Sequence, residues 1–396
     1  MLIPILLASL ALQGQATDSL TLRAATAFAR EHRPSLIAAA AAVDEARGLL
    51  AERRRPPNPT ANYTRSDDAP RSTFTIQQSF EWLLSRGGSV GAGHAGVARA
   101  EAELEGSSRD LTREVHVAFV GALAATQVRV LAAAQLAVAD TLVRFAARRL
   151  AAGDIAEAEF ERLRLERILA EQTLSRVRAE ESRARLALGR TLGWPTDSAL
   201  PPLGGDLTEG LDCPLPVAPS TAELPMVRSA FADSTAFAAE ARSTNWARIP
   251  LPTVEVGRQW DNPSAPGANL WLVGASIPIP IWTQGGGPAM AARARARISA
   301  ASLSETKLAA EQALATAGVQ LEEARLRARL ASDSLLPGAG QLRIRAARAY
   351  ALGQTGVLPL LEAFRVEREI VVSAMTDLVA YQEALAEWNA LTGNTE

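Results

Sequence analysis

The sequence predicts a mainly α protein with a small β part, in which long antiparallel coiled-coil helices accompany four β-strands per chain. Three observations predict this fold class. Long stretches rich in Ala, Leu, Arg and Glu carry apolar residues at coiled-coil spacing. Short runs ahead of them alternate between apolar and polar residues, which is typical of strands. The whole arrangement occurs twice along the chain, so each pattern has a second copy.

Composition narrows the class of protein. The 396 residues include 41 Lys and Arg against 43 Asp and Glu, which gives a formal net charge of −2. Nucleic-acid binders usually carry a surplus of basic residues, so we expect no nucleic-acid partner. One cysteine and three histidines offer little for a thiolate metal site or for acid–base chemistry. We therefore predict no enzyme activity, no catalytic residue, no metal site and no cofactor.

The N-terminus has the layout of a secretory signal peptide. Residues 2–12 form an apolar run that is too short to span a bilayer as a helix, and small residues precede a possible cleavage after Ala16. No basic residue precedes the run, and a buried or disordered N-terminus is the alternative. No later stretch reaches about 18 apolar residues without a charge, so entry into a membrane would require β-strands.

An internal duplication organises the rest of the chain. Landmarks recur in the same order at an offset that grows from 191 to 200 residues, ending with the pairs Gly153 and Gly353, and Gly193 and Gly393. The predicted organisation is a signal peptide at 1–16, a first repeat at 17–194, a Pro- and Gly-rich linker at 195–220, a second repeat at 221–394 and a tail at 395–396.

Each repeat begins with an Ala-rich helix, expected over 19–54 and 221–247, that prolines terminate. Two strands should follow, the second of them at 72–82 in the first repeat and at 269–279 in the second. Segment 72–82 alternates strictly and has the length of a tilted membrane strand. A soluble sandwich core built from the same aromatic residues is the alternative. The residues that we expect to face lipid are Phe74, Ile76, Phe80, Trp82, Trp271, Val273 and Ile277.

A long helix follows the strands in each repeat. The first is expected over 88–150, roughly 90–95 Å at 1.5 Å per residue, and the second over 287–352, with a kink at Pro337. The Gly-rich segment 86–96 is expected to act as a hinge at the membrane exit. Gly153 and Gly353 then provide the positive φ that a sharp turn between helices needs.

The second helix of the first repeat, expected over 155–192, carries a coiled-coil seam. Apolar residues recur every seven positions, and others fill the complementary positions between them. The seam residues are Phe160, Leu163, Ala170, Leu174, Val177, Ala184 and Leu188.

Four strands are too few to close a barrel in one chain. An open sheet edge in lipid would leave backbone N–H and C=O groups unpaired. Three chains supply twelve strands, which is enough for a barrel with an open lumen. We therefore predict a homotrimer with a 12-stranded membrane barrel that an α-helical tunnel continues.

This tandem plan resembles the TolC-like outer-membrane efflux protein family. The similarity is specific at the helix turns, residues 147–167 and 347–369, and at SFEWLLSRGG and SIPIPIWTQGG, where a strand leads to a long helix. It covers residues 18–394. The resemblance implies a trimeric duct in the outer membrane of a Gram-negative-type cell, with a long periplasmic part. Its implied partners are a periplasmic adaptor (membrane fusion) protein, an inner-membrane pump and outer-membrane lipid.

The resemblance also implies roles for residues at the turns. In that family the turns form periplasmic tips that dock on adaptor hairpins, and the matching residues here are Ala152, Gly153, Asp154, Ile155, Leu352, Gly353, Gln354 and Thr355. Glu159 and Tyr350 match polar contacts of a periplasmic gate. The sequence departs from the family pattern at two positions. Thr355 and Pro359 stand where gate-forming members of the family can carry Arg and Asp.

The alternative function is a secreted or periplasmic structural coiled-coil scaffold without a pore. A scaffold would explain the helices and the near-neutral charge, but not the signal-like start or the alternating strands. The sequence contains no G-x-x-x-x-G-K-[ST] loop, so we expect a passive duct.

Overall fold

A computed structural model describes residues 19–67, 71–195, 197–214, 218–260 and 269–393. The predicted signal peptide and the tail at 395–396 lie outside these residues. The chain forms two compact units, and each takes segments from both predicted repeats. Within the described residues, the first unit comprises the chain up to Pro34, Ser108–Ala218 and the chain from Ala313. The second comprises Ser35–Ser107 and Pro219–Gln312.

The helices account for most of the chain. The first half supplies α1 (Leu22–His32), α2 (Pro34–Arg53), α3 (Trp82–Ala151) and α4 (Glu157–Leu192). The second half supplies α5 (Pro225–Trp246), α6 (Gly286–Leu330), α7 (Leu336–Ala351) and α8 (Val357–Thr392).

The expected helix over 19–54 is two helices. Arg33 adopts an extended conformation, φ −80° and ψ 118°, between α1 and α2. The ring of Pro34 disfavours the helical conformation in the residue before it, and Pro34 itself is well suited to begin α2. The N-terminus of α1 is capped by Thr21, whose hydroxyl accepts a hydrogen bond from the Ala24 N–H at 3.3 Å.

The four predicted strands form one antiparallel sheet in the order of the sequence. They are β1 (Thr60–Arg65), β2 (Ser72–Ser79), β3 (Thr253–Trp260) and β4 (Leu270–Ser276). The central pair, β2 and β3, joins the two halves of the chain, so that Ile76 lies opposite Val256. Strands β1 and β4 form the two edges of this sheet.

The strands end earlier than the alternation predicts, and the assignment of Phe80, Trp82 and Ile277 to strands is wrong. α3 begins shortly after β2 ends, and the Leu83 N–H already donates to the Phe80 carbonyl at 3.0 Å. β4 ends at Ser276 because Pro278 has no N–H for a ladder.

The Gly-rich segment 86–96 is not a hinge, because α3 runs through it without interruption. Gly88 serves close packing between α3 and α5 instead. A Cβ atom at Gly88 would lie 2.6 Å from the carbonyl oxygen of Ala239 and 2.7 Å from the nitrogen of Ser243. No side chain fits at that distance, so glycine allows the two backbones to meet.

The helix changes its hydrogen-bonding pattern near Pro337, where the sequence predicts a kink, and the change begins a few residues earlier. A π-helical turn, Ala331–Leu335, separates α6 from α7. Pro337 cannot donate a hydrogen bond to the carbonyl of Asp333, and a wider turn before the proline accommodates the missing bond.

The predicted coiled-coil seam of α4 is confirmed by burial. Leu163, Ala170, Leu174, Val177 and Leu188 are buried, whereas Phe160 and Ala184 are half-buried. Leu174 and Val177 pack against Ala132 of α3.

Ion pairs between α3 and α4 flank this seam. Arg129 contacts Glu181 at 2.8 Å, and Arg167 contacts Asp140 at 2.6 Å. This is the usual arrangement of charges beside an apolar coiled-coil contact.

The described part of the predicted linker is packed against helices. Gln382 of α8 donates from its amide nitrogen to the carbonyls of Leu207 and Glu209, both at 2.9 Å. Both amide hydrogens are thereby used, so the amide oxygen faces the Nε2 of His116 in α3 at 3.1 Å, and that nitrogen must donate. Burial lowers the pKa of His116, which favours the neutral ring.

Two arginines of the second half hold the end of the same segment. Arg325 and Arg329 donate to the carbonyl of Leu211 at 2.7 and 2.8 Å. The segment therefore has fixed backbone partners, although its composition is typical of a flexible linker.

Among the described residues, α3 is the one helix that is long and apolar enough to cross a membrane, with a mean hydropathy of 1.7 over 18 residues. Two large apolar side chains of α3 pack beside the linker. A Cβ atom at Gly205 of the linker would lie 3.4 Å from Leu123 and 3.8 Å from Phe119. Both side chains are buried.

Replacing Gln382 with Leu should lower the free energy of unfolding by about 2–4 kcal/mol, because the buried Leu207 carbonyl, the less buried Glu209 carbonyl and the His116 ring N–H all lose this partner. Urea unfolding in detergent, followed by helical circular dichroism, measures this change. Gln172→Leu is the control, since Gln172 is exposed on α4 and its loss should matter by less than about 0.5 kcal/mol. Equal losses in the two variants would contradict the role of Gln382.

Candidate functional site: the sheet face and the helix turns

One face of the sheet carries apolar side chains from β1 to β4. Residues directly opposite each other in an antiparallel ladder project to the same face. One row contains Tyr63, Phe74, Arg258 and Trp271, and the next contains Ala61, Ile76, Val256 and Val273. The large apolar residues in both rows are exposed in the single chain, and Trp271 and Val273 are 75% exposed.

The other face is mostly polar. Its rows contain Thr60, Gln77, Glu255 and Gly274, and then Asn62, Thr75, Gly257 and Leu272. A sheet that exposes its apolar face and carries polar groups on the other is the reverse of a soluble sheet packed on a core. An exposed apolar area of this width marks a surface that contacts lipid or another protein.

Aromatic rings gather at the end of this face that is remote from the long helices. The rings of Tyr63 and Trp260 stack with centroids 6.1 Å apart. The Arg258 guanidinium lies 5.9 Å from the centre of the Trp271 ring. Aromatic side chains in such a row are typical of the boundary between hydrocarbon and water.

The two predicted helix turns have the same backbone geometry. In the first, the N–H groups of Ala152, Gly153 and Asp154 donate to the carbonyls of Arg148, Leu150 and Arg149. In the second, the three bonds recur 200 residues later. Gly153 has φ +79° and Gly353 has φ +72°, so both positions need the left-handed conformation that glycine adopts without strain.

The turn residues are mostly available for contact. Seven of the eight residues that the resemblance assigns to docking are exposed: Ala152, Gly153, Asp154, Leu352, Gly353, Gln354 and Thr355. Ile155 differs, because it is half-buried against an apolar cluster. Its packing makes it a supporting residue of the turn.

That cluster, the tip core, joins four helices of the first unit. Its buried members are Leu142, Ala146, Leu163, Tyr350, Val357, Leu360 and Phe364. Tyr350 is 0% exposed, and its hydroxyl has no hydrogen-bond partner among the described residues. The Arg149 guanidinium lies 5.6 Å from the centre of the Tyr350 ring.

The structure brings the two predicted gate residues together. Burial raises the pKa of Tyr350, the nearby Glu159 carboxylate raises it further, and Arg149 opposes them. Glu159 lies in the first turn of α4, whereas Tyr350 lies near the end of α7. The three residues therefore connect the two turns through side chains inside one protomer.

Two ion pairs hold the helices beside the tip core. Arg343 of α7 contacts Glu367 of α8 at 2.7 Å, and Arg368 of α8 contacts Glu166 of α4 at 2.7 Å. All four side chains are at least partly shielded from water, so these pairs should contribute more than typical exposed pairs.

Comparisons with known proteins show which proteins share this arrangement. No family model matches the sequence. Among curated proteins, the chain is 28% identical over 362 residues to the cobalt-zinc-cadmium resistance protein CzcC of Cupriavidus metallidurans. The aligned region covers 89% of this chain and 84% of CzcC.

Solved structures with a similar fold include two outer-membrane proteins. The CmeC outer membrane channel of Campylobacter jejuni gives a TM-score of 0.78 at 14% identity, covering 94% of this chain and 85% of that one. The outer membrane protein VceC of Vibrio cholerae gives a TM-score of 0.75 at 17% identity. That match covers 95% of this chain and 97% of VceC. The chain has the fold of the TolC-like outer-membrane channels. The resemblance seen in the sequence is thereby confirmed, as is the predicted fold class of long helices with a small sheet.

Sequence reasoning missed several residues of the sheet face and of the helix turns. Tyr63 and Val256 belong to the exposed sheet face, and the alternation in β1 and β3 was the signal that could have found them. Arg149 lies against Tyr350, but a single arginine in an arginine-rich helix gives no sequence signal.

Replacing Gly353 with Ala should lower the free energy of unfolding by about 1–2 kcal/mol, because an L residue is strained at this φ. Apart from its two chain neighbours, no described residue places an atom within 4 Å of a Cβ at this position, so the cost is backbone strain. Gly338→Ala is a matched control in α7, where a Cβ also meets open space. That change should stabilise by about 0.5–1 kcal/mol. Thermal unfolding measures both, and a neutral Gly353 variant would contradict the strain argument.

Proposed function

We propose that this protein is a passive outer-membrane channel of a tripartite export system and works as a homotrimer. The observation that carries this proposal is the four-stranded sheet with an exposed apolar face, a polar opposite face and two open edges. The TolC-like fold and the outer-membrane relatives support it. The chain is assigned no catalytic step.

Trimerisation follows from the two sheet edges. In lipid, the unpaired N–H and C=O groups of β1 and β4 need partners. The edge β4 of one chain pairs with β1 of the next in this proposal, and three copies close a barrel of twelve strands. The apolar face then meets lipid, and the polar face lines the lumen. The long helices extend from the barrel into the periplasm.

The exposed turns are the proposed docking surface for a periplasmic adaptor protein. The two turns share one backbone geometry, so a single adaptor motif can recognise both. An inner-membrane pump supplies the energy, because the sequence has no nucleotide-binding loop. The relative CzcC is named for resistance to cobalt, zinc and cadmium. Divalent cations are therefore the first cargo to test.

Glu159, Tyr350 and Arg149 are proposed to act as a gate from inside each protomer. Tyr350 is buried in the tip core, so it positions the helix ends and does not itself line the lumen. Glu159 and Arg149 carry opposite charges close to Tyr350, which holds the start of α4 near the end of α7.

The central experiment is membrane fractionation with native mass measurement in detergent. A barrel should resist alkaline washing, require detergent for release and migrate as a trimer. Reconstituted protein should conduct ions across planar bilayers. Release of a monomer by alkaline washing, without conductance, would favour the coiled-coil scaffold instead. Deletion of the gene should increase sensitivity to cobalt, zinc or cadmium if these are the cargo.

Replacing Glu159 with Arg should raise the single-channel conductance, because it places two positive charges beside Tyr350 and separates the helix ends. Glu157→Arg is the matched control. Both residues lie in the first turn of α4, so both variants lose the same favourable interaction with the helix dipole. An equal rise in the two variants would show that the gate does not depend on Glu159.

A further inference from the structure

The apolar alternation of β4 continues beyond the last paired residue. Residues 277–282 follow β4 without belonging to the ladder, and we name them the rim segment. Ile277, Ile279 and Ile281 keep the odd-numbered positions that Trp271 and Val273 occupy on the exposed face. Ile279 is 78% exposed and Trp282 is 90% exposed.

The paired part of β4 is too short for a membrane. From Trp271 to Ser276 the strand advances roughly 17 Å, or roughly 13 Å across the bilayer at a tilt of about 40°. The apolar band of an outer-membrane barrel is about 25 Å tall. The aromatic row of Tyr63, Trp260 and Trp271 marks one boundary of this band. The other boundary must therefore lie beyond the ladder.

The rim segment is suited to hydrocarbon contact without a strand partner. Pro278 and Pro280 have no N–H groups, so fewer backbone donors need satisfaction there. The Ile281 N–H donates to the Ile279 carbonyl at 2.9 Å, which satisfies another donor locally. Unpaired backbone groups are what normally exclude irregular chain from lipid.

The two repeats differ at this place. Only residues 80 and 81 separate β2 from α3, and helical hydrogen bonding begins at once. Nine residues, 277–285, separate β4 from α6. The second repeat thus inserts an apolar, proline-containing stretch where the first has almost none.

Positive charge surrounds the junctions between sheet and helices in the same unit. Arg53 is the last residue of α2, and Arg54 and Arg55 follow it. Arg86 lies in the first turns of α3, and Arg248 follows α5. Arg248 contacts the chain next to the rim segment, because its Nε donates to the Gln284 carbonyl at 3.0 Å. The acidic residues at these junctions are Glu52 and Glu81, so cations are in excess. Such a surface complements anionic lipid headgroups.

We propose that the rim segment lies in the periplasmic leaflet of the outer membrane and completes the lipid-facing band. The isoleucines contact acyl chains near the headgroups, and Trp282 lies at the interface. The arginines at the junctions contact lipid phosphates. This inference rests on the proposed function, since it takes the sheet face as lipid-facing and the helices as periplasmic.

Lipid-dependent quenching of a fluorophore tests the inference in the full chain. Cys213 is the single cysteine and is exposed, so Cys213→Ser gives a background without cysteine. Ile279→Cys and Ile281→Cys, each labelled with the environment-sensitive dye NBD, report on the rim segment. Val273→Cys reports on the sheet face, and Ala309→Cys on the exposed surface of α6 is the control. All four variants are reconstituted into phosphatidylethanolamine–phosphatidylglycerol vesicles with nitroxide-labelled lipids.

The expected result is about a twofold loss of emission at positions 279 and 281 with a nitroxide near the headgroup. Position 273 should be quenched more by a deeper nitroxide, and position 309 should not change. Quenching at 273 without quenching at 279 and 281 would overturn the rim inference alone. Blue-shifted emission at 279 and 281 without lipid quenching would assign the segment to a protein contact, with a second copy or another protein. Absence of quenching at 273 would overturn the lipid-facing sheet and therefore the proposed function.

Discussion

The backbone hydrogen bonds of a four-stranded sheet are the constraint on which the rest of this structure depends. The sheet has one exposed apolar face and two edges, β1 and β4, that have no neighbour in the sheet. A soluble protein would cover such a face and protect such edges, whereas lipid satisfies the face but cannot satisfy the edges. Identical copies solve both problems in the proposed barrel, and the polar face then has an aqueous lumen to meet.

The helices meet a different requirement, which is to bury narrow stripes over a long distance. α3 and α4 do so with a seam of Leu, Ala and Val between ion pairs. Close to the turns the seam widens into the tip core, where Phe145 of the first half packs edge-on against Tyr350 of the second. The segment between the repeats adds a third kind of contact, because Gln382, Arg325 and Arg329 bind its carbonyls.

Much of the architecture could be predicted from the sequence because it depends on periodicity. The seam at Leu163, Leu174 and Val177, the four strands and the glycine turns all follow from spacing or from φ requirements. Element boundaries could not be predicted as well, since Phe80 and Trp82 continue the strand alternation although β2 ends at Ser79 and α3 begins at Trp82. The packing of the linker against the helices could not be predicted from the sequence either. A Pro- and Gly-rich composition gives no sign of a distant glutamine that binds its backbone. The position of Tyr63 and Val256 on the exposed face follows from the strand register. The contact of Arg149 with Tyr350 follows from proximity in the folded chain.

The duplicated turns also set the symmetry that a partner would encounter. Three chains would present six turns with matching backbones but different side chains, because Asp154 of one turn corresponds to Gln354 of the other. In a ring of such turns the backbone conformation would repeat six times, whereas the side-chain charge would repeat only three times. A hexameric partner would therefore bind in two alternating electrostatic environments, and its six subunits would not be equivalent once bound.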